Sequence, residues 1–228
     1  MSEREVLLAA FERVRVADVR DAMDTVGLHG VGSLSPEIRP LFRTRVVGLA
    51  KTARYVPYQG STPVGEPHSY AAWAGRYYAE VCTYPWVEDL APGDFVCLDL
   101  SGVDAGLMGS ENTLACRQRG AVGFVSSDGM RDTDELILQR IPFWSRYAAQ
   151  SMVQGRIQFE SMNQTIAIAG ATIVPGDVVV ADGDGVIVVP AKVAIDVAQL
   201  ARAEWERDKA VRRRHYEALD LPADDSVQ

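Results

Sequence analysis

The middle of the chain holds two short apolar runs with a helix-like segment between them. The first run, residues 95–100, follows a Pro-Gly-Asp turn, and the second, residues 121–126, follows Gly120. Residues 111–119 separate the runs and have the composition of a helix, which Gly120 would end. A strand, a helix and a strand in this order indicate a βαβ unit whose two strands are parallel and buried.

Outside this unit, the pattern changes from the first half of the chain to the second. Helix-like segments and one strand precede the unit, whereas short β-type runs separated by turns follow it. We therefore predict a mixed α/β fold in one domain, 1–228, with parallel crossings in the middle and antiparallel pairs towards the end. A long charged helix is expected at about 191–219, and the acidic tail 220–228 is expected to be frayed. The other predicted helices are 5–13, 16–26, 69–82 and 133–139, and the other predicted strands are 45–56, 143–148, 156–159, 165–168, 178–181 and 186–189.

Composition limits the classes of function. The 228 residues are 47% hydrophobic, which suffices for a full core, and they carry a formal net charge of −8. An acidic surface repels phosphate backbones, so nucleic acid is not an expected partner. No apolar run approaches the roughly 20 residues that a bilayer span requires, so no membrane association is expected. The charged start of the chain is unlike a secretory signal, and three widely spaced cysteines suit a reducing compartment, so we expect a cytoplasmic protein.

Two segments that carry polar groups follow the two strands of the βαβ unit. Gly109 and residues 110–112 come after the first strand and begin the helix, and Arg131 and Asp132 come shortly after the second. Because ligands bind at the carboxyl ends of parallel strands, we expect the two segments to face one another. The N–H groups of residues 110–112 would form an anion site of carboxylate size, to which Arg131 adds a planar guanidinium. Asp132 offers a hard oxygen ligand of the kind that Mg²⁺ and Mn²⁺ prefer.

The same pair of residues also has a purely structural interpretation. Arg131 and Asp132 could form a surface ion pair, with Asp132 capping the helix that is predicted from Thr133. The residues alone leave both interpretations open.

Motifs spread over about residues 16–205 resemble the regulator of ribonuclease activity A (RraA-like) family. Between residues 109 and 132 they are Gly109, Arg119-Gly120, Gly123, Gly129 and Arg131-Asp132. The earlier motifs are the segments 18–24 and 46–50, and the later ones are 174–177 and 181–190. The family includes class II pyruvate aldolases that cleave 4-hydroxy-4-methyl-2-oxoglutarate and 4-carboxy-4-hydroxy-2-oxoadipate.

This resemblance implies a layered α/β/β, swivelling-domain-like fold with a mixed sheet, assembled as a homotrimer or hexamer with sites at subunit interfaces. In the enzymes, the residue matching Asp132 binds the divalent metal, Mg²⁺ or Mn²⁺, and the residue matching Arg131 holds the pyruvyl part of the substrate. An acid from a neighbouring subunit completes the metal shell, and Glu204 or Glu206 could supply it here. The substrate carboxylate is received by backbone amides of the segment that matches Gly109, Ser110, Glu111, Asn112 and Thr113.

The chain departs from the aldolase pattern at Ser110, where the enzymes carry an acid that helps to deliver protons. Glu111 is adjacent and could substitute for that acid, although an acidic residue in a first helical turn is also favourable without any further role. The candidate catalytic residues are therefore Arg131, Asp132 and Glu111.

The resemblance implies a metal-dependent lyase that cleaves a C–C bond of a 2-oxo acid through a pyruvate enolate. Both 4-hydroxy-2-oxo acid cleavage and oxaloacetate decarboxylation leave this enolate, and its negative charge is what a Lewis-acidic metal stabilises. Two alternatives remain. One is a non-catalytic trimeric regulator that binds another protein, although such family members lack the metal-binding Asp. The other is a lyase or hydratase acting on a different 2-oxo acid, which the departure at Ser110 suggests.

Overall fold

The computed structural model describes residues 2–63, 65 and 67–228. The helices are α1 (Glu3–Ala10), α2 (Val16–Thr25), α3 (Pro67–Glu80), α4 (Ser110–Gln118), α5 (Thr133–Leu138) and α6 (Ala194–Ala218). The strands are β1 (Arg39–Pro40), β2 (Val46–Pro57), β3 (Asp94–Asp99), β4 (Gly123–Ser126), β5 (Gly129–Met130), β6 (Phe143–Ser145), β7 (Tyr147–Ala148), β8 (Ile157–Met162), β9 (Ile166–Ile168), β10 (Ala171–Ile173), β11 (Val178–Asp182) and β12 (Gly185–Val189).

One mixed sheet of eight strands organises the chain. Its order is β1-β6-β4-β3-β2-β11-β12, and the pairs β2–β3, β3–β4 and β4–β6 are parallel. The predicted βαβ unit is therefore confirmed as β3-α4-β4. The long strand β2 pairs with β11 along its first half and with β8 along its second half, so the sheet curls until it is nearly closed.

The strands of this sheet are buried on both faces. Along β3, Val96 and Leu98 pack with Tyr77 and Trp86 on one side, whereas Phe95 and Cys97 face the hairpin β9–β10 on the other. Because successive side chains of a strand point to opposite faces, a strand covered twice shows the continuous apolar run that the sequence has here. On β11, Val178 and Val180 pack against a third layer, formed by α1, α2 and α6.

Three local features differ from the sequence-based expectations. Residues 143–148 form two strands, β6 and β7, which pair with β4 and with β5 respectively. The hairpin β9–β10 was not predicted, because its turn places Ala169 in the left-handed region beside Gly170, and alanine gives no turn signal. The tail 220–228 is not frayed but folds back on α6: Arg213 donates to the carbonyl of Val227, whose side chain is buried.

No helix among the described residues combines the length and the apolar character that crossing a bilayer demands.

Helix α3 is attached to the rest of the protein mainly through Tyr77, the one buried side chain among its described residues. The hydroxyl proton of Tyr77 is shared between the carbonyls of Val153, at 2.6 Å, and Ile157. Pro57, the strand partner of Ile157, has no N–H to offer that carbonyl. The tyrosine therefore supplies a hydrogen bond that the sheet cannot.

Replacing Tyr77 by Phe should lower the free energy of unfolding by about 1–3 kcal/mol, because it leaves a buried carbonyl without its donor. Chemical denaturation followed by circular dichroism measures the change. Tyr70→Phe removes the same hydroxyl from an exposed position of α3 and should change stability by less than about 0.5 kcal/mol. Equal losses in the two variants would contradict the anchoring role of Tyr77.

Candidate active site

A cleft of about 380 Å³ opens where the loop after β3 meets β5 and the start of α5. The loop runs beside β5 because Gly106 bridges to Gly129, and the amide of Arg131 donates to the carbonyl of Met108 at 3.1 Å. The two polar segments expected to face one another do so. The cleft is lined by Tyr78, Tyr84, Gly106, Leu107, Gly109, Glu111, Asn112, Arg131, Asp132, Met152 and Val153.

The Asp132 carboxylate connects the two sides of this cleft. Its Oδ2 accepts a hydrogen bond from the amide of Ser110 at 3.0 Å, and its Oδ1 accepts one from Nε of Arg131 at 3.1 Å. The backbone of Asp132 is left-handed, with φ of 56°, a conformation that Asp adopts more readily than most residues. This turn directs the side chain away from α5 and back across the cleft.

The structural interpretation of Arg131 and Asp132 is therefore correct in one part and wrong in another. The ion pair exists, but the Asp132 side chain makes no capping hydrogen bond to α5. It caps α4 instead. The N-cap residue of α4 is Gly109, which has no side chain that could cap the helix.

Two glycines make room for the Arg131 and Asp132 side chains. A Cβ atom at Gly109 would lie 2.2 Å from Oδ2 of Asp132, and one at Gly106 would lie 2.9 Å from Cβ and Cγ of Arg131. Both separations are shorter than any real contact, so only glycine allows this arrangement.

The start of α4 leaves two amides open. The N–H groups of Glu111 and Asn112 have no acceptor among the described residues, and both residues line the cleft. Thr113 differs from the expectation, because its N–H and its hydroxyl both donate to the carbonyl of Gly109 and its side chain is buried. The Ser110 amide is occupied by Asp132. The anion site at the helix start therefore reduces to the amides of Glu111 and Asn112.

Ser110 and Glu111 point in different directions. The Ser110 hydroxyl accepts a hydrogen bond from Nε2 of Gln139 at 2.7 Å, and Ser110 does not line the cleft. Glu111 does line it and is exposed. Of these two adjacent residues, Glu111 is therefore the one that could deliver protons in the cleft.

Sequence reasoning missed six residues of the cleft: Gly106, Leu107 and Val153, and the larger Tyr78, Tyr84 and Met152. Burial raises the pKa of Tyr84 far above its usual range, and burial also raises that of Tyr78, against a smaller lowering by the Arg131 guanidinium. Both phenols are therefore neutral near pH 7. No local motif marks Tyr78, Tyr84 or Met152, because α3, the segment after it and the loop before β8 reach the cleft only through tertiary packing.

The donor set of the cleft decides which metal would fit. No group of three His, Cys, Asp or Glu side chains gathers anywhere within the described ranges, so a closed zinc-type cage is not built. Asp132 uses one acceptor site on each oxygen for its two hydrogen bonds, and about two further lone pairs remain. One carboxylate with free lone pairs beside an open cleft suits Mg²⁺ or Mn²⁺, which retain water and bind substrate oxygens. Glu204 and Glu206 lie on α6, beside Arg207 and Lys209, and neither lines the cleft.

A second, wider cleft of about 950 Å³ lies between α6 and the folded-back tail. Its arginines include Arg15, which pairs with Asp18 and Asp208, and Arg212, which pairs with Asp208 at 3.3 Å. Two of its four arginines are thus paired within the chain, and Asp224 and Asp225 also line it. The Arg131 cleft, where two guanidinium nitrogens have no acceptor among the described residues, is the better candidate for an anionic ligand.

The sequence profile of the Aldolase/RraA family, described as RraA-like, matches residues 16–188. The chain belongs to the RraA-like family. It is 26% identical over 216 residues to a protein of Halalkalibacterium halodurans named "Putative 4-hydroxy-4-methyl-2-oxoglutarate aldolase", and the match covers 93% of this chain and 90% of that protein.

Two solved structures share the fold. An uncharacterized protein from Pseudomonas syringae pv. tomato superposes with a TM-score of 0.75 at 27% identity, covering 92% of this chain and 93% of that one. Streptomyces coelicolor RraAS2, described as an unusual member of the RNase ES inhibitor RraA protein family, gives a TM-score of 0.72 at 22% identity, covering 91% and 96%. The predicted mixed α/β fold with a long C-terminal helix is thereby confirmed, and the second likeness concerns the fold alone.

Proposed function

We propose that this protein is a metal-dependent lyase that releases pyruvate from a 2-oxo acid, by cleaving a 4-hydroxy-2-oxo acid or decarboxylating oxaloacetate. One observation carries the proposal. The guanidinium of Arg131 and the carboxylate of Asp132 share a cleft with two open amides at the start of α4. The aldolase name borne by the relative at 26% identity supports the same chemistry.

Different groups of the chain would bind different parts of the substrate. Arg131 uses Nε for Asp132, and its two terminal nitrogens have no acceptor among the described residues, so they can grip a substrate carboxylate bidentately. The open amides of Glu111 and Asn112 receive negative charge at the positive end of the α4 dipole. Both interactions hold the pyruvyl part in place while the C–C bond breaks.

Glu111 would act as the general acid and base. Its carboxylate lies at the exposed side of the cleft and could take the proton of a 4-hydroxyl group and return one to the enolate carbon. Asp132 is the residue that would hold a divalent cation. A bound Mg²⁺ or Mn²⁺ would supply Lewis-acid stabilisation of the charge that develops on the keto oxygen.

We also propose that the chain, as one domain, assembles in the cytoplasm into a homotrimer or hexamer with sites at subunit interfaces. Two apolar side chains on α5, close to the cleft, support an interface there: Ile137 is 45% exposed and Leu138 83% exposed. A neighbouring subunit docked on α5 would cover both side chains. Three free, buried cysteines suit a reducing compartment.

Chelation tests the proposal directly. EDTA should lower pyruvate release from 4-hydroxy-4-methyl-2-oxoglutarate and from oxaloacetate by about a hundredfold or more, and excess Mg²⁺ should restore it. Because divalent metals alone promote decarboxylation of oxaloacetate, a reaction without protein at the same Mg²⁺ concentration is the control. Full turnover in EDTA would reject the metal-dependent scheme.

A protein-binding regulator without turnover is the second candidate. Ser110, at the position of the family's proton-delivering acid, is turned away from the cleft, which favours this alternative. The absence of pyruvate release from every 2-oxo acid, together with no binding of Mn²⁺ and a stable protein partner, would establish it. Water addition without C–C cleavage would instead indicate a hydratase.

A further inference from the structure

Tyr84 lines the cleft close to the start of α4. Its hydroxyl donates to the carbonyl of Leu107 at 3.3 Å, and Leu107 also lines the cleft. The Tyr84 ring packs against the buried rings of Tyr55 and Trp86, with centroid separations of 6.1 and 6.2 Å. The ring is thus held in place, whereas the hydroxyl proton can still turn about the C–O bond.

The Leu107 carbonyl has a second side-chain donor, Nδ2 of Asn112, also at 3.3 Å. Both hydrogen bonds are long, because an N–H donor usually lies about 2.9–3.0 Å from its acceptor and an O–H donor about 2.7–2.8 Å. A buried carbonyl is satisfied by one good donor. Tyr84 can therefore leave the Leu107 carbonyl without cost to that group, since Asn112 keeps it paired.

The open amides of the anion site lie next to this pair of donors. Asn112 carries one of the two N–H groups at the start of α4 that have no acceptor among the described residues. Burial raises the pKa of Tyr84, and the nearby Asn112 side chain lowers it by a smaller amount, so the phenol keeps its proton near pH 7. A phenol that keeps its proton donates it in hydrogen bonds, and such a bond is strongest when the acceptor is an anion.

From these contacts we infer that the Tyr84 hydroxyl binds the same ligand oxygen as the open amide of Asn112, and that the Asn112 side chain frees it for this role by holding the Leu107 carbonyl. The inference rests on the proposed function, in which this oxygen carries negative charge of the 2-oxo acid or of its enolate. Tyr84 and Asn112 belong to this chain, and their donors are additional to whatever a cation on Asp132 or a neighbouring subunit contributes.

Binding of oxalate tests the inference without turnover, because oxalate carries negative oxygens in the arrangement of pyruvate enolate and cannot be cleaved. In calorimetry at a fixed Mg²⁺ concentration, Tyr84→Phe should bind oxalate at least about tenfold more weakly than the wild type, because one hydrogen bond to a charged oxygen is lost. The affinity for Mn²⁺ without oxalate should stay within about twofold, since the Tyr84 hydroxyl donates to Leu107 and not to Asp132. Equal losses of oxalate and Mn²⁺ affinity would indicate a distorted cleft and would count against the inference.

Tyr70→Phe is the matched control for this variant. It removes the same hydroxyl from an exposed position of α3 outside the lining of the cleft, so the affinity for oxalate should stay within about twofold. Wild-type protein that binds no oxalate, unchanged oxalate binding in Tyr84→Phe, or an equal loss in both variants would overturn the inference.

A double variant tests the role of the Asn112 side chain. Asn112→Ala should weaken oxalate binding about fivefold, because the Tyr84 hydroxyl then remains with the Leu107 carbonyl. In a Tyr84→Phe background the same substitution should cost less than about twofold, since no hydroxyl is left to be freed. Losses that multiply in the double variant would show that the Asn112 side chain binds oxalate by itself, and would overturn the exchange of partners at Leu107.

Pyruvate release separates the inference from the function on which it rests. Slower release from 4-hydroxy-4-methyl-2-oxoglutarate by Tyr84→Phe, in parallel with its weaker oxalate binding, supports both. Wild-type release together with wild-type oxalate affinity in this variant keeps the proposed function and rejects the role of Tyr84. No release from any 2-oxo acid by the wild type rejects the proposed function, and the ratio of oxalate affinities still decides whether Tyr84 binds an anion in the cleft.

Discussion

Asp132→Asn should lower pyruvate release about a thousandfold while leaving the protein folded. The loss corresponds to about 4 kcal/mol of transition-state stabilisation, the order of magnitude that a Lewis-acidic metal supplies. The amide oxygen of the substituted side chain can still accept the Ser110 amide, so the cap of α4 survives and the melting temperature should fall only slightly. Calorimetric titration with Mn²⁺ should show weakened metal binding in parallel with the loss of turnover.

Asp134→Asn is the matched control for this variant. It makes the same change of charge two residues away, on an exposed position in the first turn of α5. Turnover and Mn²⁺ affinity should both stay within about twofold, because an exposed charge in a first helical turn contributes only a few tenths of a kcal/mol. Wild-type rates in Asp132→Asn, with metal binding intact, would remove Asp132 from the proposed chemistry.

Gly109→Ala should reduce pyruvate release by about a hundredfold or more. Its backbone, at φ −136° and ψ −162°, is one that alanine adopts freely, so the substitution causes no conformational strain by itself. The added Cβ would lie 2.2 Å from Oδ2 of Asp132 and must push the carboxylate away by more than an ångström. Displacements of that size in a reacting constellation cost about two orders of magnitude in rate.

A double variant tests whether the Gly109 effect acts through Asp132. In an Asp132→Asn background, Gly109→Ala should add little further loss, because both changes remove the same interaction. Gly75→Ala is the control, since a Cβ at Gly75 of α3 meets nothing within 4 Å and should leave rates unchanged. Strictly multiplicative losses in the double variant would show that Gly109 acts independently of Asp132.

The elements of the fold that depend on local pattern could be predicted from the sequence. The β3-α4-β4 unit was marked by two apolar runs and a glycine stop, and α2 and α6 were marked by periodicity and charge. The hairpin β9–β10 and the return of the tail onto α6 could not be predicted. The hairpin depends on Ala169, which has an unusual left-handed backbone conformation. The return of the tail depends on a contact between Arg213 and Val227, which lie fourteen residues apart.

The sequence predicted which segments form the candidate site but not where their side chains point. The βαβ topology was enough to predict that Arg131 and Asp132 lie opposite the start of α4, because the carboxyl ends of parallel strands share one edge of the sheet. The direction of each side chain was not available from the sequence. The capping alternative put Asp132 on its own helix, whereas its side chain reaches α4. Thr113 was expected in the cleft and is buried, and Tyr78 and Tyr84 come from a distant part of the chain.

The hydrogen bond between the Asp132 carboxylate and the Ser110 amide couples position 132 to position 109, the residue before α4. A homologue that loses the acid at position 132 also loses the side chain that caps the start of α4, and the first amides of that helix are then left without an acceptor. The same loss removes the obstacle to a side chain at position 109. Serine, threonine, asparagine or aspartate could then enter there and cap the helix locally. Residues 109 and 132 should therefore covary in this fold, with glycine accompanying the acid and a short polar side chain accompanying its absence.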